Sequence, residues 1–241
     1  MQILEGNISV KAALLSPYRL VEKILIDEKK RTRDTTFIMR KAKEARVEVY
    51  YETREKIDAL ASGYSHGGML AYVHERQYQE IHDLADDINF FAFVEGIEDP
   101  YNFAYILRSL YAAGCQAIIT NERNWSNAAN VLAKASAGAS EYLAHICTAN
   151  SSETLSTLKK QNIAIVCAMR DDQAIELYDY NFKQAVCICI GGEKRGLSKD
   201  ILKLSNQNVY IPYRSNFRNA LNASSATTIL AFEIVRQRKH P

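Results

Sequence analysis

Asn102 and Arg108 stand near the start of one predicted helix, in EGIEDPYNFAYILRSLYAAGC, directly after a predicted strand. With ~100° per residue, Asn102, Ile106 and Ser109 are helix neighbours and Arg108 lies about 120° away. Arginine is a fixed cation that clamps phosphate or supports developing negative charge. A second segment, CICIGGEKRGLSKDI, runs from a predicted strand into Gly191-Gly192, followed by Glu193, Lys194, Arg195 and Gly196. Its glycines let a ligand approach the backbone closely, and one carboxylate and two cations stand on it. A third, YIPYRSNFRNALNASSATTILAFEIVRQR, places Ile211, Arg214, Arg218, Leu221 and Asn222 ahead of a helix that opens on small residues. Taken singly, each segment has a plainer explanation: an asparagine capping a helix, a surface arginine, small residues that allow close packing.

Other chemistries lose their support in the same residues. The Gly191 to Gly196 spacing imitates part of a phosphate-binding loop, but Leu197-Ser198 stands where Lys-Ser/Thr is required. No GxGxxG fingerprint occurs, which removes the main sequence argument for a nicotinamide dehydrogenase. The five cysteines, Cys115, Cys147, Cys167, Cys187 and Cys189, form no CxxC pair. They read as small buried hydrophobes in a reducing compartment, and no metal site is expected.

The elements needed to position these loops alternate along the chain. Residues 1–76 read as a small α/β layer: helix over 9–15, strand VEKILID, helix over 35–45, strand RVEVYY, helix over 53–61 with Thr53 as its cap, then a glycine-rich turn and strand in GYSHGGMLAYV. Residues 77–88, polar and acidic, read as a linker. Residues 89–241 resume the alternation: strands NFFAFVE, QAIIT, IAIVCAM, AVCICI and NVYIP, with helices over 100–113, 126–135, 153–160 and 221–238. Strands separated by helices at this spacing imply a mostly parallel sheet covered on both faces, with ligands at the carboxyl ends of the strands.

Together, and in this order, the three loops resemble the SpoU/TrmH family of the SPOUT methyltransferase superfamily. That family has an Asn…Arg helix start, a Gly-x-Glu-x-x-Gly-Leu-Ser loop after a strand, and Ile-Pro followed by Leu-Asn-x-Ser at a last helix. The resemblance covers residues 89–241, while residues 1–76 look like the small ribosomal-protein-like RNA-binding domain often fused in front. It implies an α/β fold whose C-terminal domain is tied in a trefoil knot, binding of S-adenosylmethionine, and methyl transfer to a ribose 2′-hydroxyl of ribosomal RNA, with transfer RNA as the other candidate. It further implies a homodimer formed through the C-terminal domain. By motif position, backbone groups at Gly191, Ile211 and Leu221 would hold the cofactor. Arg108 would act at the reacting hydroxyl, with Asn102, Glu193 and Asn222 shaping the site around it.

The chain departs from that pattern at Ala104, where the family has glycine, and at Ala220, often serine. The stretch from Ile211 to Leu221 is one residue longer and lacks its usual glycine. These departures motivate the competing reading, a catalytically weak or inactive RNA-binding module that keeps the fold.

The net charge is only +2, but residues 1–76 hold 14 Lys and Arg against 11 Asp and Glu, including Lys29, Lys30, Arg31, Arg33, Arg40, Lys41, Lys43 and Arg46. Such a run is either a solvated face or a phosphate-contacting patch. With 47% apolar residues there is material for a sizeable core, and no stretch approaches the ~18 apolar residues of a membrane helix. The opening MQILEGNISVKAALLS reads as folded protein rather than a secretory leader, so the cytoplasm is the expected location.

Overall fold

The computed structural model describes residues 1–84 and 88–239. Residues 85–87 of the expected linker lie outside the described residues. The strands are β1 Gln2–Glu5, β2 Val21–Asp27, β3 Glu48–Glu52, β4 Met69–Val73, β5 Phe90–Glu95, β6 Ala117–Asn121, β7 Ala144–Thr148, β8 Ala164–Ala168, β9 Ile175–Glu176, β10 Val186–Gly191 and β11 Gln207–Tyr210. The α-helices are α1 Asn7–Leu15, α2 Arg33–Ala45, α3 Arg54–Leu60, α4 Pro100–Ala112, α5 Ala129–Ala135, α6 Ala139–Tyr142, α7 Ser151–Lys160, α8 Lys199–Leu202 and α9 Ala223–Lys239.

Two compact units form. One comprises Met1–Gln77 together with Asn124–Tyr142; the other comprises Tyr78–Arg123 and Leu143–Pro241. In the first, a four-stranded sheet has the order β1-β4-β2-β3, with β4 antiparallel to both its neighbours and β2 parallel to β3. Ile24 and Ile26 of β2 and Met69 and Ala71 of β4 alternate onto the face that meets Ile38 and Ala42 of α2. α2 starts where the Thr32 side chain accepts a bond from the Thr35 N–H, and stops at Arg46, which takes a left-handed φ of 57°.

The packing of this unit does not follow the linear division at 77–88. Residues 124–142, read in sequence with the C-terminal half, pack within the first unit, where Ala129 and Ala133 of α5 join its core. Small side chains make the close approach feasible: a Cβ on Gly138 would lie 2.7 Å from the Ala12 Cβ. A buried ion pair closes the same region. Arg19 Nε and Glu141 Oε2 are 2.6 Å apart, with side chains 4% and 1% exposed. Arg19 Nη2 also donates to Glu141 Oε1, and Nη1 to Gln2 Oε1 and the His74 carbonyl, so the buried guanidinium is held by four hydrogen bonds.

The second unit is a seven-stranded sheet of order β7-β6-β5-β10-β8-β11-β9, in which every strand pair is parallel. Its strands are nearly continuous apolar runs, as a sheet buried on both faces requires. β7, in AHICT, is absent from the sequence reading because His145 interrupts its apolar pattern; in the fold His145 is buried and its Nε2 lies 2.8 Å from the Thr120 Oγ1 of β6. α4 and α9 lie side by side, linked by Ser109 Oγ and Thr228 Oγ1 at 2.7 Å. Among the described residues, no helix is long and apolar enough to cross a membrane.

Candidate active site

A cavity of about 420 Å³ opens at the carboxyl ends of β8, β10 and β11, in the size range of small-molecule sites. Ile190 and Gly191 come to it from β10 and Glu193 from the loop after it, Tyr210 from β11 and Ile211 just past it, and Leu221 from the loop before α9. Chain order alone separates these residues by as many as 31 positions; the parallel pairing of β10 and β11 on either side of β8 unites them. The face of α9 turned to the cavity carries Ala223, Ala226 and Leu230, so one wall is apolar and slim.

The β10 loop is held by backbone contacts that only glycine allows. A Cβ on Gly191 would lie 2.2 Å from the Gly196 carbonyl carbon, and one on Gly192 would lie 2.3 Å from the Gly96 carbonyl oxygen. The loop closes on itself through the Gly196 N–H donating to the Gly192 carbonyl at 2.8 Å, with Gly196 at a φ of 65°. Glu95 Oε2 accepts from the Ser198 N–H at 2.7 Å and fastens its far end.

Asn102 and Glu193 line a second hollow of about 180 Å³, with Gly96, Glu98, Asp99 and Lys194. Asp99, not Asn102, caps α4: its Oδ2 accepts from the Asn102 N–H at 2.7 Å. Asn102 itself lines the hollow. Lys194 Nζ and Glu98 Oε2 are 2.7 Å apart on the rim. The Lys194 ammonium, helped by Arg123 and Arg195, holds the Glu98 carboxyl below the usual carboxylate range.

The expected site residues therefore divide. Gly191, Ile211, Leu221 and Glu193 meet at the larger cavity, and Asn102 joins Glu193 at the smaller one. Asn222 caps α9: its Oδ1 accepts from the Ser225 N–H at 2.8 Å and from the Ser224 hydroxyl at 3.0 Å. Arg108 is exposed on α4 and lines neither hollow. Ala104 is fully buried in α4, whereas Ala220 lies on the cavity wall. Sequence reading missed Arg170 and Tyr213. Arg170 lies two residues past the end of β8, so the rule that ligands gather at strand carboxyl ends could have marked it; its guanidinium carbon stands 5.0 Å from the Tyr210 ring centre. Tyr213 gave no such signal, because only the folded loop brings its hydroxyl to the Leu221 N–H.

The residues present fit a nucleoside-type ligand. The cavity joins apolar walls, suited to an adenine ring, to backbone groups at three strand ends, and its volume matches a compact cofactor. A doubly covered parallel sheet with this loop cluster defines a nucleotide-cofactor α/β enzyme, and comparison with known proteins gives its family. The chain belongs to the SpoU rRNA Methylase family, whose pattern matches residues 89–232. A second pattern, RNA 2′-O ribose methyltransferase substrate binding, matches residues 3–79. The protein is with that an S-adenosylmethionine-dependent RNA 2′-O-methyltransferase.

Over 98% of its length it is 31% identical to the 23S rRNA (guanosine-2′-O-)-methyltransferase RlmB of Shewanella oneidensis, of which 98% is covered. It is 27% identical, over 98% of this chain and 96% of the relative, to a Staphylococcus haemolyticus protein named as a putative TrmH family tRNA/rRNA methyltransferase. Among solved structures, the SpoU methyltransferase AviRb of Streptomyces viridochromogenes, in complex with AdoMet, superposes with a TM-score of 0.80 at 20% identity, covering 99% of this chain and 90% of that one.

Proposed function

We propose that this protein methylates a ribose 2′-hydroxyl of ribosomal RNA, with residues 89–241 carrying the transfer and residues 1–76 the substrate grip. One observation carries the reading: Gly191, Ile211 and Leu221, marked by motif position alone, meet at a single cavity. A ribosomal target is supported by the RlmB relative that aligns along nearly the whole chain. The staphylococcal relative, named for both RNAs, keeps transfer RNA as the other candidate. The C-terminal half is proposed to hold the family's trefoil knot, and the protein to work in the cytoplasm.

S-adenosylmethionine supplies an already activated methyl group, so the protein's main task is alignment of the acceptor. Backbone groups at Gly191, Ile211 and Leu221 hold the cofactor. Glu193, shared by both hollows, and Asn102 orient the groups between cofactor and ribose. Asn222 fixes the loop behind Leu221 through its cap on α9. The Arg108 guanidinium lends positive charge beside the ribose oxygen while the hydroxyl proton passes to solvent water.

A homodimer explains why Arg108 stands outside the cavity. Tyr101, Tyr105 and Arg108 follow each other at helical spacing on α4, and the tyrosines are 52% and 46% exposed. Tyr111 and, on the adjacent α9, Phe232 add exposed aromatic surface. An apolar face of this kind marks an interaction site, and pairing of two copies across it would bring Arg108 to the partner's site.

The test is incubation of the purified protein with ribosomal and transfer RNA and methyl-labelled S-adenosylmethionine, followed by alkaline hydrolysis. A 2′-O-methyl blocks cleavage of the adjacent phosphodiester, so label in alkali-resistant dinucleotides supports the reading. Label only in mononucleotides would place the methyl on a base and overturn it.

A further inference from the structure

Beside β3 the first unit carries a hollow that no catalytic role uses. It measures about 550 Å³ and is lined by Arg31, Arg33, Thr36, Met39 and Tyr51, among others, at the junction of the β2–α2 loop, α2 and β3. β3 is an edge strand, paired only with β2, so the hollow is open to solvent on the far side. The Tyr51 ring is 49% exposed. Its position is fixed from two sides: its hydroxyl donates to Met39 Sδ at 3.6 Å, and the Arg31 guanidinium carbon stands 5.5 Å from the ring centre. An exposed aromatic held by its neighbours loses little freedom when a flat ligand stacks on it.

The charge around this ring is one-sided. Residues 28–46 contain eight Lys and Arg against three Asp and Glu. Of the acids, Glu44 is engaged by Lys41 and Arg40, and Asp34 accepts from the Asn7 amide. Among the described residues, neither Arg31 nor Arg33 makes an ion pair; Arg31 donates only to the Glu28 and Lys30 carbonyls. The opposite face of β3 is different. There Tyr50 is bound through its hydroxyl to Glu48, and Glu52 stands beside it. Alternation thus sets Tyr51 on the face of Arg31, and Tyr50 on the face of Glu48 and of Glu52, which is paired with Lys56.

From this geometry we infer that the hollow is a nucleotide subsite for single-stranded RNA: an unpaired base stacks on Tyr51, and its flanking phosphates lie against Arg31 and Arg33. Aromatic stacking reads any base and requires it to be unstacked from a duplex, while the arginines supply the attraction to the backbone. The subsite deepens the RNA methyltransferase reading and rests on it. It makes the first unit a reader of a loop or bulge, not of helical RNA.

The test uses the full chain and fluorescence anisotropy with a labelled, unstructured RNA oligonucleotide and with its duplex. The single strand is expected to bind more tightly. Tyr51→Ala is expected to weaken it about ten-fold or more, and Tyr51→Phe to keep it within about two-fold, since a phenyl ring stacks as well. The double variant Arg31→Ala, Arg33→Ala is expected to lower the slope of log affinity against log salt by about 0.7 per lost phosphate contact. Unchanged affinity in Tyr51→Ala overturns the subsite, and so does equal weakening in Tyr51→Ala and Tyr51→Phe, which would mean that the hydroxyl's bond to Met39 matters rather than the ring. Titration with S-adenosylmethionine separates the two levels. Protein that binds the cofactor but not the oligonucleotide overturns the subsite alone; protein that binds neither overturns the methyltransferase reading with it.

Discussion

The backbone N–H of Leu221 donates to the hydroxyl of Tyr213 at 3.0 Å, across eight residues of the loop that lines the cavity at the ends of β8, β10 and β11. A cofactor that uses this N–H must displace the tyrosine. The net worth of such a bond is about 0.5–1.5 kcal/mol. Tyr213→Phe is therefore expected to tighten S-adenosylmethionine binding by about two- to ten-fold, read by isothermal titration. Unchanged affinity would mean that the Leu221 N–H is not a cofactor contact.

The Gly192 to Gly96 contact makes a sharper demand. Gly192→Ala would drive a Cβ to 2.3 Å from the Gly96 carbonyl oxygen and 2.8 Å from its carbonyl carbon, both backbone atoms. Overpacking of this kind costs about 1–3 kcal/mol, and the displaced loop should lose cofactor affinity by at least about ten-fold. Gly63→Ala is the control, because nothing lies within 4 Å of the added carbon. Equal cofactor affinity in the two variants would show that the loop adapts.

Arg108 is exposed and lines neither hollow, which sets it apart from cofactor binding. Arg108→Ala is expected to leave S-adenosylmethionine binding intact while methyl transfer to RNA falls by about 100-fold or more. Arg108→Lys should recover only part of that rate, since an ammonium lacks the planar fork. A parallel loss of cofactor binding would place Arg108 in the cofactor site instead.

The Arg19–Glu141 pair joins the 124–142 segment to the sheet of the first unit. Removing one partner strands a buried charge, at a cost of about 3–5 kcal/mol. Arg19→Met and Glu141→Leu should each lower the urea midpoint strongly, and the double variant by less than the sum of the two. Strict additivity would deny the coupling.

Glu5 gives a pH signature. Burial pushes its carboxyl up, but the hydroxyl and N–H of Ser62, with Asn130 and Lys134, outweigh burial and hold it below the ordinary range. A lowered folded-state value adds stability above the unfolded value of about 4.3, lost as pH falls through the folded value. The stability advantage of the native protein over Glu5→Gln should thus be full at neutral pH and shrink toward acid. An advantage that grows on acidification would contradict this assignment.

Much of this protein was legible in sequence because its signals are local. The strand runs NFFAFVE and AVCICI, the glycine stop at Gly114 and the Thr53 cap each depend on residues a few positions apart, and the structure has the corresponding elements. The ordered loops around Asn102, Glu193 and Asn222 were enough to name a family. What tertiary structure decided depends on long-range packing. Strand order set Gly191, Ile211 and Leu221 around one cavity while leaving Arg108 outside it. A buried ion pair and alanine-lined contacts drew residues 124–142 to the first unit, against their place in the chain. β7 was hidden because His145 is polar; in the fold its ring nitrogen meets the Thr120 hydroxyl and its ring packs edge-on against Tyr78, which makes its burial tolerable. The division has one physical reason: periodicity and caps are written in adjacent residues, whereas a cavity or a buried charge pair exists only once distant segments share the same space.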